Sequence, residues 1–140
     1  MTATILILGG TSDIGLALAR RYAMTGAHLI LAARNVARLE TDLTDLRHRG
    51  AASATALECD ILAMDQHGAF VDALIPLPDI VVCVIGLLGD QARAERDTRH
   101  VQTIMHTNYT GPALMLGEFA NRMEARGSGT LIGISSVAGD

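Results

Sequence analysis

Leu8-Gly9-Gly10-Thr11-Ser12-Asp13-Ile14-Gly15 is the stretch that decides how this chain folds. The run before it, residues 5–8, is isoleucine and leucine throughout. A strand apolar at consecutive positions is buried on both faces, as strands of parallel sheets are. After it, Ile14, Leu18, Ala19 and Tyr22 recur at helical spacing over residues 14–25, and Gly26 stops the helix. A strand that runs through glycines into a helix opens a βαβ unit. Gly9 allows the tight turn, and Gly15 leaves room for the helix to approach the sheet. The N–H groups at the helix start, with the helix dipole, form a place for a pyrophosphate.

Moving outward, the same alternation continues. Residues 28–33 are a second apolar run. Residues 35–49 carry Val36, Leu39, Leu43 and Leu46 on one helical face, and Gly50 ends them. A weaker strand is expected over 53–57, then a helix over 62–75 closed by Pro76 and Pro78. Residues 80–85 are the strongest strand signal, β-branched and bounded by Asp79 and Gly86. Residues 90–99 are charged and expected at the surface. One long helix is expected over 101–126, burying Val101, Ile104, Met105, Leu116, Phe119 and Met123, with a kink at Gly111-Pro112. Residues 130–134 read as a fifth strand, ending at Ser135-Ser136. Five strands alternating with helices predict an α/β fold, a doubly wound parallel sheet covered on both sides. No repeat or linker divides residues 1–140, so one domain is expected.

Composition narrows the function. The chain has 49% hydrophobic and 19% charged residues, the profile of a globular protein. A net charge of -4 with 3% aromatic residues argues against nucleic-acid binding by charge or by stacking. No apolar run approaches a membrane span, and Met1-Thr-Ala-Thr leads into the first strand without a basic leader, so a cytoplasmic protein is expected. Cys59 and Cys83 sit in or beside apolar stretches and read as reduced core thiols. No Cys or His pair has metal-ligand spacing, so no metal is expected. His28, His48, His67, His100 and His106 read as structural or surface residues.

The end of the second strand selects the cofactor. Dinucleotide-binding domains that take NAD place a carboxylate there, on the ribose 2′-hydroxyl. Here the segment is Leu31-Ala32-Ala33-Arg34-Asn35, and no acid appears until Glu40. Arg34 offers a planar, permanently charged donor fork that suits a 2′-phosphate. NADPH is therefore expected in preference to NADH. The plainer reading of Arg34 is a solvated surface cation.

These residues resemble the short-chain dehydrogenase/reductase family. The turn is similar to the family's Thr-Gly-x-x-x-Gly-x-Gly, with Gly9 and Gly15 matching the outer glycines. Leu8 replaces the threonine and Asp13 the middle glycine, which puts a negative charge near the expected pyrophosphate. The resemblance implies a Rossmann-type sheet of three layers, holding about five of the family's seven strands. It implies cofactor contacts at Gly9, Thr11, Ser12, Asp13, Ile14, Gly15 and Arg34. It also implies Asp60 beside the adenine ring and Gly86 as the retained residue of the family's Asn-Asn-Ala-Gly. Asn108, in Thr107-Asn108-Tyr109-Thr110-Gly111, looks like the asparagine that holds a water in the proton relay. Residues 129–139 resemble the strand-five motif, with Ser136 as the catalytic serine that hydrogen-bonds the substrate oxygen. The plainer readings stand beside these. Asn108 can bond backbone, Ser136 can be a strand-end turn residue, and Asp60 can be a helix N-cap.

The implied activity is hydride transfer between NADPH, or NAD(H), and a small-molecule carbonyl or secondary alcohol. The glycine turn, taken with Gly86-Leu87-Leu88-Gly89-Asp90, looks like a bacterial branch that includes reductases of keto-sugars. The family's Tyr-x-x-x-Lys does not occur within the 140 residues, and the chain has no lysine at all. A longer enzyme is therefore expected, a homodimer or homotetramer, with these residues alone inactive. The competing reading is a non-catalytic dinucleotide-binding module or sensor.

Overall fold

A computed structural model describes residues 2–136. The elements alternate as their sequences dictate. They run β1 (Thr4–Leu8), α1 (Asp13–Ala23), β2 (His28–Ala33), α2 (Glu40–His48), β3 (Ser53–Glu58) and α3 (His67–Asp72), followed by β4 (Ile80–Cys83), α4 (Gln91–Ala94), α5 (Thr98–Met105), α6 (Gly111–Arg126) and β5 (Thr130–Gly133). The five strands form one sheet in the order β3-β2-β1-β4-β5. Every pairing is parallel, with Leu8 opposite both Ala32 and Cys83.

The unbroken apolar run of β1 has a direct explanation. Ile5 and Ile7 point to one side, into a core with Leu29, Leu31, Leu39, Leu43 and Leu46. Leu6 and Leu8 point to the other, into a core with Val81, Cys83, Met115 and Phe119. Both faces are covered by helices, so alternate residues are equally apolar. The next strands in the chain extend the sheet first to one side of β1 and then, with β4, to the other. Such a reversal opens a crevice at the carboxyl ends of β1 and β4.

The helices differ from their expected extents, each for a local reason. In α1 the buried residues are Gly15, Ala19 and Ala23, a stripe of small side chains four apart that lets the helix lie close to the sheet. Ile14, expected on that face, is turned away and 56% exposed. A 3₁₀ turn at Val36–Leu39 precedes α2. The helix expected over 62–75 is only the six residues of α3, after a 3₁₀ turn at Met64–Gln66. Asp60 delays it, because its carboxylate and carbonyl take the amides of Leu62 and Ala63.

The long helix begins earlier than expected, at Thr98, where Asp97 caps the amides of Arg99 and His100. Between α5 and α6 the chain stays helical but widens into a π turn at His106–Thr110. Met105, expected in the core, is 60% exposed, while Met115 and Phe119 are fully buried. Short α4, capped by Asp90, lies within the charged stretch. Among the described residues, no helix is long and apolar enough to cross a membrane.

Candidate functional site

The crevice at the strand ends is walled first by the glycine turn. Gly9 sits at φ +91°, a conformation open to glycine at little cost. The amides of Gly9 and Gly10 both donate to the Ala32 carbonyl at 3.0 Å, which ties the turn to the end of β2. Ser12 caps α1, its Oγ accepting from the Gly15 amide at 3.0 Å. Close approach explains the glycines. A Cβ on Gly10 would lie 2.7 Å from that of Leu31, and one on Gly15 would lie 2.8 Å from the Gly9 carbonyl oxygen. Among the described residues, the amides of Thr11, Asp13 and Ile14 take part in none of these turn and cap bonds. They stand at the positive end of the α1 dipole, the arrangement that receives an anionic group. The turn thus fits a pyrophosphate, with the exposed carboxylate of Asp13 at the first helical position as an opposing charge.

The second wall comes from β2 and β3. Arg34, directly after β2, is exposed and lines the cleft together with Cys59, Asp60, Ile61 and Leu62. The Cys59 amide donates to Ala33, which draws the β3 end toward Arg34. Asp60 Oδ1 accepts from the Leu62 amide at 2.9 Å, so this residue caps a tight turn and not an α-helix, since α3 starts only at His67. Burial pushes the Cys59 thiol up to about 11, with smaller contributions from the Asp60 carboxylate and from Cys83. The Cys83 thiol is raised too, by burial. Both remain protonated at neutral pH and are poor nucleophiles.

The third wall is the loop after β4 and the helix above it. Gly86 and Leu87 line the cleft, opposite Thr103 of α5 and Thr107 of the π turn. Asn108 is fully engaged with the backbone of that loop. Its Oδ1 accepts from the Leu87 amide at 2.6 Å and its Nδ2 donates to the Leu87 carbonyl at 2.8 Å. The side chain thus bonds backbone 21 residues away in sequence. Its own carbonyl is a separate matter. Pro112, four residues on, has no N–H to offer it, so the usual α-helical donor is lacking.

Gly9, Thr11, Ser12, Arg34, Asp60 and Gly86 thus share one cleft. Gly15 stands behind it as a buried spacer, and Asp13 and Ile14 face outward at the start of α1. Ser136 is an exposed residue beyond the end of β5, and the motif residues at 137–139 lie outside the described residues. Thr103 and Thr107 were not anticipated. Their spacing of four on one helix was the available signal, but threonines on a helix have no chemistry of their own to flag them. His67, read as structural or surface, is the buried polar residue of the described core, 2% exposed.

Residues 3–140 match the sequence model of the family described as short chain dehydrogenase. An uncharacterized oxidoreductase of Mycobacterium tuberculosis is 41% identical over 98% of this chain and 56% of its own length. The crystal structure of an actinorhodin polyketide ketoreductase with NADPH is similar at a TM-score of 0.85 and 31% identity, over 99% of this chain and 54% of that one. A short-chain type dehydrogenase/reductase from Mycobacterium marinum aligns at a TM-score of 0.87 with 30% identity, over 98% of this chain and 57% of that one. The chain spans about half the length of the relatives it matches.

Proposed function

The chain belongs to the short-chain dehydrogenase family, and on that premise we propose that it is the cofactor-binding part of an NADPH-dependent reductase. The bound cofactor would supply the hydride, exchanged with a small-molecule carbonyl or secondary alcohol. The observation that carries this reading is the gathering of the Gly9 turn, Arg34, Asp60 and Gly86 around one cleft at the sheet's switch point. The amides of Thr11, Asp13 and Ile14 would take the pyrophosphate charge. Arg34 would pair with the 2′-phosphate, and Asp60 would hold the adenine end. Asn108 would act twice. Its side chain holds the Leu87 backbone at the nicotinamide end, and its carbonyl, to which Pro112 offers no N–H, would hold the water of a proton relay. Ser136 would orient the substrate oxygen, and a keto-sugar is the narrower substrate class we favour. The similarity to a ketoreductase with NADPH supports both the carbonyl substrate and the phosphorylated cofactor. Exposed Met105, Tyr109 and Leu114 support a homo-oligomer formed through the long helix.

Arg34→Glu in the full-length protein tests the cofactor assignment. The expected result is a loss of NADPH affinity of at least about thirtyfold with NADH affinity changed less than about threefold, read by calorimetric titration. An equal loss for both cofactors would remove Arg34 from the 2′-phosphate.

A further inference from the structure

We propose that His67, which lies behind the cleft, positions the turn at 60–62 through its hydrogen bond to the Ile61 carbonyl and so sets the affinity for the adenine end of the cofactor. The proposal rests on the cofactor reading of the cleft. His67 is 2% exposed. Its Nε2 lies 3.0 Å from the Ile61 carbonyl oxygen. A carbonyl only accepts, so Nε2 must carry the proton. In the neutral ring Nδ1 is an acceptor, and it is buried without a partner among the described residues. Burying an unmet polar nitrogen is unfavourable, and an aliphatic side chain would fill this space without that penalty. The compensating interaction available to the ring is its bond to Ile61.

That bond holds a residue under unusual constraint. The Ile61 side chain is buried in the core with Met115 and Phe119. Its carbonyl also faces Gly111 of α6, where a Cβ would lie 2.7 Å from the oxygen and 2.8 Å from Ile61 Cγ1. On the other side of the same turn, Asp60, Ile61 and Leu62 line the cleft, and Asp60 Oδ1 holds the Leu62 amide at 2.9 Å. The turn is thus pinned from behind by the His67 ring and the bare Gly111 backbone, and it presents its front to the ligand. A shift of the Ile61 carbonyl moves Asp60 with it, because the two are consecutive in a tight turn. The Gly9 turn and the loop at 86–87 are held by other bonds and do not depend on this one.

The test uses the full-length protein and two half-cofactors, adenosine 2′,5′-bisphosphate and reduced nicotinamide mononucleotide, with binding followed by NMR titration. His67→Leu should weaken the adenosine ligand by about five- to tenfold and leave the nicotinamide ligand within about twofold, the loss of one hydrogen bond's positioning. His67→Gln places an amide N–H near the position of Nε2 and should restore adenosine binding to within about twofold of the parent. His67→Phe, which keeps an aromatic ring in the space but has no ring N–H to donate, should reproduce the selective loss if the leucine variant does not fold. Unchanged adenosine binding in a folded His67→Leu or His67→Phe protein would overturn the proposal. So would an equal loss for both half-cofactors, or a glutamine variant as weak as the leucine one. A parent protein that binds neither half-cofactor nor NADPH would overturn the cofactor reading itself.

Discussion

At the glycine turn, the cleft wall is shaped by a cap within the turn and by backbone bonds to Ala32, with no distant side chain gripping it. Ser12 reaches the Gly15 amide three residues on, and Gly9 turns back at φ +91°. At the loop after β4, the wall is shaped by a residue from another part of the chain. Asn108 grips both backbone groups of Leu87 from a π turn 21 residues later. The first region presents backbone to the ligand and needs side chains to be absent. The second needs one side chain to be present, with both a donor and an acceptor. Asp13, the departure from the glycine pattern in the first region, is exposed at the start of α1, whereas the second region depends on the paired donor and acceptor of one amide side chain.

The largest effect is expected at the first region. Gly15→Val would put a branched side chain against the Gly9 carbonyl and Ser12 Oγ, at 2.8 and 2.9 Å from its Cβ. Both neighbours belong to the turn itself, so relief requires the turn to open. A loss of about 2–3 kcal/mol is expected, read from the urea midpoint, together with lost cofactor binding. Parent-like stability would show that the turn is plastic and break the contrast.

A smaller effect is expected at the second region. Asn108→Asp keeps the acceptor for the Leu87 amide but sets a carboxylate against the Leu87 carbonyl. Local opening should become easier by about 1–2 kcal/mol, seen as roughly tenfold faster hydrogen exchange at the Leu87 amide with the global unfolding midpoint little changed. Unaltered exchange would mean that the loop is held by something other than Asn108.

The smallest effect is expected at Cys59, in the wall between the two regions. Its thiol is raised, so the folded protein holds this proton more tightly than the unfolded chain does. The associated stability is present below about pH 9 and is lost as pH rises toward about 11. Alkylation by iodoacetamide should be slow at neutral pH and rise with an inflection near pH 11. An inflection below pH 9 would place the thiol in open solvent and loosen the wall.

Much of the molecule was legible along the chain. The β1 and β2 runs, the glycine turn and Arg34 announce themselves because their role depends on residue type and immediate neighbours. The helix expected over 62–75 failed because apolar periodicity cannot register a carboxylate that claims the amides of the following turn, as Asp60 does with Leu62. Met105 was misjudged because the π turn that begins at His106 shifts the helical phase, and a fixed period of 3.6 carries no sign of it. Ile14 was misjudged because its neighbour Gly15, with no side chain, is what faces the sheet.

Strand character, the parallel α/β plan, the turn conformation at Gly9 and the cation at Arg34 were determined by the sequence alone. Each follows from side-chain volume, backbone freedom or charge within a few residues. Which groups meet across the cleft was decided only by the tertiary structure. Asn108 finds Leu87, His67 finds Ile61, and Gly111 admits the Ile61 carbonyl because two packed cores bring those backbones together. A buried carbonyl or amide takes the partner that packing delivers, and no spacing along the chain encodes that choice.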